Sequence, residues 1–416
     1  MTAPAGGYAA RERGNASDGA GAVILAACAI WSLVSAAGRE TRPEGVLLAL
    51  LAVAAGFACG RICGTLLPVA TATAAAVAAL VMALVSRSSG MPGATAAVDI
   101  APGHTGAAAA LLVLAAGAAC CAAAAARRAP LRLTLRLLAF GTACAALTIR
   151  SVAGFVAALG VLLCSLAAAR MRRRLLGLAG FALVTALVVG ASWAVAEEAL
   201  PDGLMISLEG QLTGNRVLLW QDAVTLAKEH PVLGVGPDRF AEMSPTAQQT
   251  LRSDGKPHSA PLQQAAEQGV VGVTLLGAAF GWLLYVLRRS PRSTAVVLTA
   301  GAALTALAAL ASVGNALSFT PVTAGAGLLA GLASARLPIG DGRAASDTAG
   351  AADAGPVRRV TRIRDVPRRG RGPRPNAARG RITPRPDRQG RLNHSGLYPL
   401  RHRPLRRPPA SGAARG

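Results

Sequence analysis

Outside residues 341–416, the acidic side chains and lysines are concentrated in one polar stretch, residues 197–264. It holds nine of the fifteen acidic residues outside 341–416 and both lysines of the chain, Lys228 and Lys256. Arg216, Arg239, His230 and His258 lie within it, and Glu267 follows closely. Arginine stays charged and offers a planar fork of donors, whereas histidine titrates near neutrality and suits proton transfer. Residue type alone leaves alternatives open. Arg216 equally suits a solvated position beside an interfacial helix, and a lone histidine between Pro257 and Ser259 is more often structural than catalytic. Gly234 and Gly236 are a weak phosphate signal by themselves. The seven cysteines, Cys28, Cys59, Cys63, Cys120, Cys121, Cys144 and Cys164, all fall inside or at the edge of apolar runs and read as small hydrophobes.

Local patterns indicate how these residues are held. From Arg216 to His230, Val217, Trp220, Val224 and Ala227 recur at helical spacing; Asn215 is an N-cap and Pro231 stops the helix. Such a helix is expected in the membrane interface, with Trp220 as its anchor and Asp222 and Lys228 facing water. Gly234-Val235-Gly236-Pro237 predicts a tight turn, with Pro237 opening the next helix. After a turn at Asp254-Gly255 the chain passes through His258 into a helix that re-enters the membrane. Glu267, near that entry, is either a buried helix contact, the favoured reading, or part of a binding site.

The framework around this stretch is apolar. Of 416 residues, 52% are hydrophobic and 3% aromatic, yet the formal charge is +23. These figures exclude a single soluble domain and resolve when mapped by position: residues 341–416 hold nineteen Arg and five Asp, about +14 of the total. The remainder reads as an all-α, polytopic membrane bundle of about ten transmembrane helices with one long outer loop and a disordered basic C-terminal tail. The expected spans are 20–38, 44–60, 63–85, 106–126, 131–149, 151–169, 175–196, 265–287, 294–313 and 316–336. The expected organisation is a cytoplasmic segment 1–19, seven helices in 20–196, an extracytoplasmic loop 197–264, three helices in 265–336 and the tail 337–416. Thirteen arginines in the resulting inner loops and N-terminus against four in the short outer loops orient both termini inside the cytoplasmic membrane. Abundant Ala and Gly suit close approach of helices in a bilayer. The first apolar run reads as a membrane helix, not a removable signal.

Taken together, several of these residues form a pattern. R-x-x-x-W near a helix start, H-P-x-x-G-x-G-P-x-x-F, and H-[NS]-x-x-L…E-x-G-x-x-G opening a membrane helix are carried by Arg216 and Trp220, then His230, Pro231, Gly234, Gly236, Pro237 and Phe240, then His258, Leu262, Glu267, Gly269 and Gly272. This resembles the O-antigen ligase and polymerase superfamily over about residues 20–336. A weaker match, L-T-I-R, puts Arg150 at an arginine that opens an earlier helix, with Ile149 where the family has serine. Ser259 and Pro261 also depart from the commoner Asn and aromatic.

The resemblance implies a metal-independent membrane glycosyltransferase that takes glycan from a polyprenyl-diphosphate carrier, without a cofactor, at the outer face. The acceptor would be a glycan, lipid or cell-wall polymer, and ligase and polymerase are not distinguished. It implies that Arg216, Arg150 and Arg239 bind the diphosphate, where a guanidinium fork stabilises the leaving group, and that His258 serves the acceptor hydroxyl. No D-x-D pair occurs in the loop, so no metal site is expected. Trp220, Pro231, Gly234, Gly236, Glu267 and Gly269 form the structural motif. The alternative is a non-catalytic membrane protein or solute transporter on the same scaffold. A transporter usually carries ionisable residues inside its helices, and here Arg136 is nearly alone in that position. The tail is expected to meet anionic lipid; with Tyr398 its only aromatic, nucleic acid is not an expected partner.

Overall fold

A computed structural model of the chain describes residues 6–88, 103–171, 173–199, 214–249 and 255–336. They belong to one unit, Met1–Asp353; a second unit, Ala354–Gly416, falls outside the described residues. So do the expected basic tail 337–416, loop residues 200–213 and Arg172.

The described residues form thirteen α-helices, one 3-10 turn (Ala316–Ser318) and no strand. Seven helices precede the long loop: α1 (Gly6–Ala36), α2 (Glu44–Leu66), α3 (Pro68–Ser88), α4 (Gly103–Ala125), α5 (Ala129–Thr148), α6 (Val152–Ala168) and α7 (Arg174–Ala196). The loop contributes α8 (Gly214–Glu229), α9 (Phe240–Met243) and α10 (Pro245–Gln249). The chain then forms α11 (Ala260–Arg289), α12 (Thr294–Ser312) and α13 (Thr320–Ser334). All ten expected spans are helical. Eight helices are long and apolar enough to cross a membrane, namely α1 to α5, α7, α11 and α12. The other two, α6 with 17 residues and α13 with 15, are shorter than expected.

The bundle is built around α4, an Ala-rich helix of which 94% of the most apolar window is buried. It packs against α3, α5, α6, α12 and α13. Small side chains let five neighbours approach one helix. By contrast, α2 and α7 keep only 11% of theirs buried and turn Leu48, Leu51, Leu176 and Leu187 outward, as helices bordering hydrocarbon do.

The tightest pairing is α2 with α13. A methyl group on Gly56 would stand 2.2 Å from the Ala324 carbonyl oxygen, and one on Gly60 2.2 Å from that of Leu328. From the other side, a Cβ on Gly327 would meet the Val53 oxygen at 2.2 Å and one on Gly331 the Phe57 oxygen at 2.3 Å. Hydrocarbon gives no hydrophobic drive for two apolar helices to associate, so close van der Waals contact must do it. Glycine every fourth residue on both helices permits that contact.

At the end of the bundle away from the long loop, arginines tie chain turns together. The buried Arg292 donates from Nε to the Ala335 carbonyl at 2.8 Å and from Nη2 to that of Gly64. Arg174 donates to the carbonyls of Ser290 at 2.7 Å and Arg292 at 2.8 Å. The Ser290 hydroxyl donates to Ala333 O at 2.6 Å. A guanidinium can satisfy several orphan carbonyls at helix ends at once, which water would otherwise have to do.

Candidate active site

The long loop packs onto the bundle through an apolar cluster. Val217, Leu219, Trp220, Ala223, Val224 and Leu226 of α8 are buried with Val195 of α7, Val235, Phe240 and Leu262. The periodicity that predicted α8 is therefore correct, but Trp220 is not an interface anchor. It is only 1% exposed, and its Nε1–H donates to the Pro257 carbonyl at 2.6 Å. A buried indole needs an acceptor for its one donor, and this acceptor lies one residue before His258. The other prediction for this face also changes. Asp222 turns to protein, accepting from the Ser244 hydroxyl at 2.5 Å and the Thr246 backbone N–H at 3.0 Å, and so caps α10. Lys228 does face water, where it pairs with Glu197 at 2.9 Å. That bond and one from Trp193 hold the exposed Glu197 carboxyl below the usual glutamate range.

The two glycine motifs, far apart in sequence, are one structure. The turn after α8 lies along a break in α11. Backbone N–H groups of Val235 and Gly236 donate to the carbonyls of Ala266 and Glu267, both at 2.9 Å, and Val270 N–H returns to Pro231 O at 2.8 Å. Gly269 sits at φ 67°, ψ −164°, a conformation essentially reserved for glycine. A Cβ there would fall 2.3 Å from the Val232 carbonyl oxygen, and one on Gly234 (φ 64°) 2.3 Å from the Glu267 carbonyl carbon. Breaking α11 at Gly269 frees the Ala266 and Glu267 carbonyls to be shared with the turn. Pro237 does not open a helix, as expected from sequence; the next one, α9, starts three residues later at Phe240 with Arg239 as its N-cap.

Glu267 is buried, accepts from Gln263 Nε2 at 3.0 Å and receives the Asp238 backbone N–H. Its carboxylate thus fastens the turn to α11 a second time. A further contact went unread in the sequence. Arg39, in the short α1–α2 connection, donates from Nη1 to the Gly234 carbonyl at 2.8 Å. A Cβ on Gly236 would stand 2.7 Å from Thr41 Cγ2, 3.6 Å from Arg39 Cδ and 3.7 Å from Arg239 Cδ. Trp31 of α1 donates to the Gln268 carbonyl at 3.0 Å. In sequence Arg39 counted only as a charge for orientation; nothing local marks it as a partner of a turn 195 residues away.

The residues expected to act are placed as follows. Arg216, half-buried at the start of α8, donates from Nη1 to Val313 O at 3.2 Å, at the end of α12. Trp220 lies four residues on, roughly 6 Å along the axis, and shares the face of Arg216, so the Trp220–Pro257 bond ties the residue before His258 to that face of α8. His258 is buried at 9% exposure with φ 52°. Arg239 pairs with Glu242 at 3.1 Å. Arg150 is exposed and left-handed (φ 56°) just past α5. That helix packs on α4 and α6, and α8 packs on α7, α10 and α11. Among the described residues, the four non-glycine residues with positive φ, Arg150, Glu198, Asp238 and His258, lie at this end. Such conformations persist where surroundings hold them, and they concentrate at functional sites.

A helical bundle with several apolar spans, and a polar, glycine-locked loop across one end, defines a multi-pass membrane protein. Residues 137–277 of the chain match the family model for the O-antigen ligase domain. The match runs from α5 into α11 and takes in Arg150, Arg216, the glycine turn, His258 and Glu267, supporting the O-antigen ligase and polymerase superfamily. No curated protein matches the chain.

Proposed function

We propose that the protein transfers or polymerises glycan from a polyprenyl-diphosphate carrier at the outer face of the cytoplasmic membrane. Arg216 meets the diphosphate, where a permanently charged fork stabilises the leaving group as the glycosidic C–O bond to phosphate breaks. Arg239 and Arg150 are the further diphosphate contacts. His258 accepts the proton of the acceptor hydroxyl as its oxygen bonds to the anomeric carbon. The carrier diphosphate leaves with the bonding electron pair. One observation supports this assignment: the Trp220–Pro257 hydrogen bond ties the residue before His258 to the helix that Arg216 opens, within the stretch matching the O-antigen ligase domain.

In proteoliposomes given a radiolabelled diphosphate-linked glycan and an acceptor, Arg216→Ala and His258→Ala should abolish transfer while both variants remain in the membrane. Wild-type transfer by either would remove that residue from the mechanism. Arg216→Lys keeps charge but loses the bidentate fork and should retain only part of the rate. For sidedness, a cysteine at Pro245, on the exposed start of α10, should react with an impermeant thiol reagent in whole cells, and one at Pro375 only after lysis. The reverse pattern would overturn the orientation.

A further inference from the structure

The far end of the bundle, opposite the glycine-locked loop, holds a second site of different chemistry. A cavity of about 320 Å³ opens there between α1, α2 and the chain leaving α13, lined by Asp18, Arg61, Ile62, Thr65, Leu66 and Arg336. We infer that it takes the phosphate head of a lipid, with the hydrocarbon tail laid along α2. This goes beyond the transfer reaction and does not depend on it.

The cavity is graded from charge to hydrocarbon. On its inner side Arg61 is 23% exposed and fixed from two directions: Nη1 donates to Asp18 Oδ1 at 2.8 Å, and its guanidinium lies 5.6 Å from the Phe57 ring centre. Phe57 packs on Trp282 at 5.1 Å, and Trp282 in turn donates to Ser17 O at 3.0 Å, next to Asp18. Arg61 is thus held in place before any ligand arrives, which spares the ligand the cost of ordering it. Arg336 supplies a second guanidinium, so two positive groups outweigh one carboxylate. On the outer side Ile62 and Leu66 are 62% and 70% exposed. They continue the lipid-facing surface of α2. A free phosphate ion has no use for those two side chains, and an apolar molecule none for the arginines. A phosphate carried on a hydrocarbon tail satisfies both, as basic pockets between membrane helices do for anionic headgroups.

The test uses the full chain in phosphatidylcholine vesicles containing a photoactivatable phosphatidylglycerol, with the crosslinked peptides identified by mass spectrometry. Labelling should concentrate at Ile62–Leu66 over Leu183, an equally exposed leucine on α7. It should be competed by unlabelled phosphatidylglycerol and not by phosphatidylcholine. Arg336→Ala, an exposed position, should weaken that label about fivefold, the factor for one arginine near a lipid surface. Arg61→Lys, which keeps the charge near Asp18, should weaken it less than Arg61→Ala. Even labelling of α2 and α7, or equal labelling by a photoactivatable phosphatidylcholine, would overturn the site. Competition by polyprenyl phosphate separates the two sources of this chemistry. Displacement at lower concentration than phosphatidylglycerol identifies a carrier lipid, and the reverse identifies a bulk phospholipid; either retains the site.

Discussion

Glycine does two different jobs in this molecule. Along α2 and α13, Gly56, Gly60, Gly327 and Gly331 are ordinary helical residues whose only virtue is having no side chain; each lets a neighbouring carbonyl come close. In the loop and α11, Gly234 and Gly269 do this too, but they also adopt positive φ and so let the chain turn where a helix would continue. The first set joins two helices and builds scaffold. The second interrupts a helix, exposes its carbonyls to a passing turn, and thereby fixes Asp238 against Glu267. Scaffold glycines should therefore govern stability and loop glycines activity.

The largest effect is expected for Gly269→Ala, which adds a clash with the Val232 carbonyl to a backbone strain of about 1–3 kcal/mol. Glycan transfer should be lost even in protein recovered from the membrane; retained transfer would break the distinction. Next is Gly60→Ala. Overpacking of this kind costs about 1–3 kcal/mol, so the thermal midpoint in detergent should fall while transfer per folded molecule, assayed in the cold, stays near wild type. A variant inactive at every temperature would show that the α2–α13 contact also serves the site. Trp220→Phe preserves most of the ring but leaves the Pro257 carbonyl without its donor, at a cost of about 1–3 kcal/mol. Faster amide exchange over 255–262 and slower transfer should follow, with the exchange of α2 unchanged.

The smallest effect is electrostatic. Glu197 has a folded-state pKa below the ordinary value, so the stability it gains from Lys228 and Trp193 is present above the glutamate range, near pH 4.3, and is lost as pH falls through the lowered value. Glu197→Gln should differ slightly from wild type in stability at pH 7, more so at low salt because the pair is exposed, and should match it in acid. A difference that persists in acid would mean the mutation acts through packing.

Much of the scaffold was legible because a bilayer restricts what an apolar run can become. The ten segments are helices. What α8 packs against was not legible. Its mean composition suits an interface and a buried surface equally, and only the tertiary contact decides that Trp220 faces protein. The same limit hid the reason for the glycines. The two motifs were recognised as separate patterns, yet their common purpose is the set of backbone bonds between 231–236 and 266–270. Arg39 could not have been found, since a single arginine in a short connection has no local signature. The α2–α13 stripe could have been. Gly56, Gly60 and Gly64 recur at every fourth residue, as do Gly327 and Gly331, and that spacing is a packing signal in membrane helices.

Arg216 and the His258 segment are proposed to act on a lipid-linked glycan. The most direct test measures that intermediate in cells lacking the gene and complemented with single variants. Wild-type protein should clear the diphosphate-linked glycan and restore the surface glycan. The Arg216→Ala variant, present in the membrane at normal level, should leave the intermediate accumulated and the surface bare. Absence of accumulation without the gene, or clearance by Arg216→Ala like that by wild type, would contradict a role for Arg216 in glycan transfer.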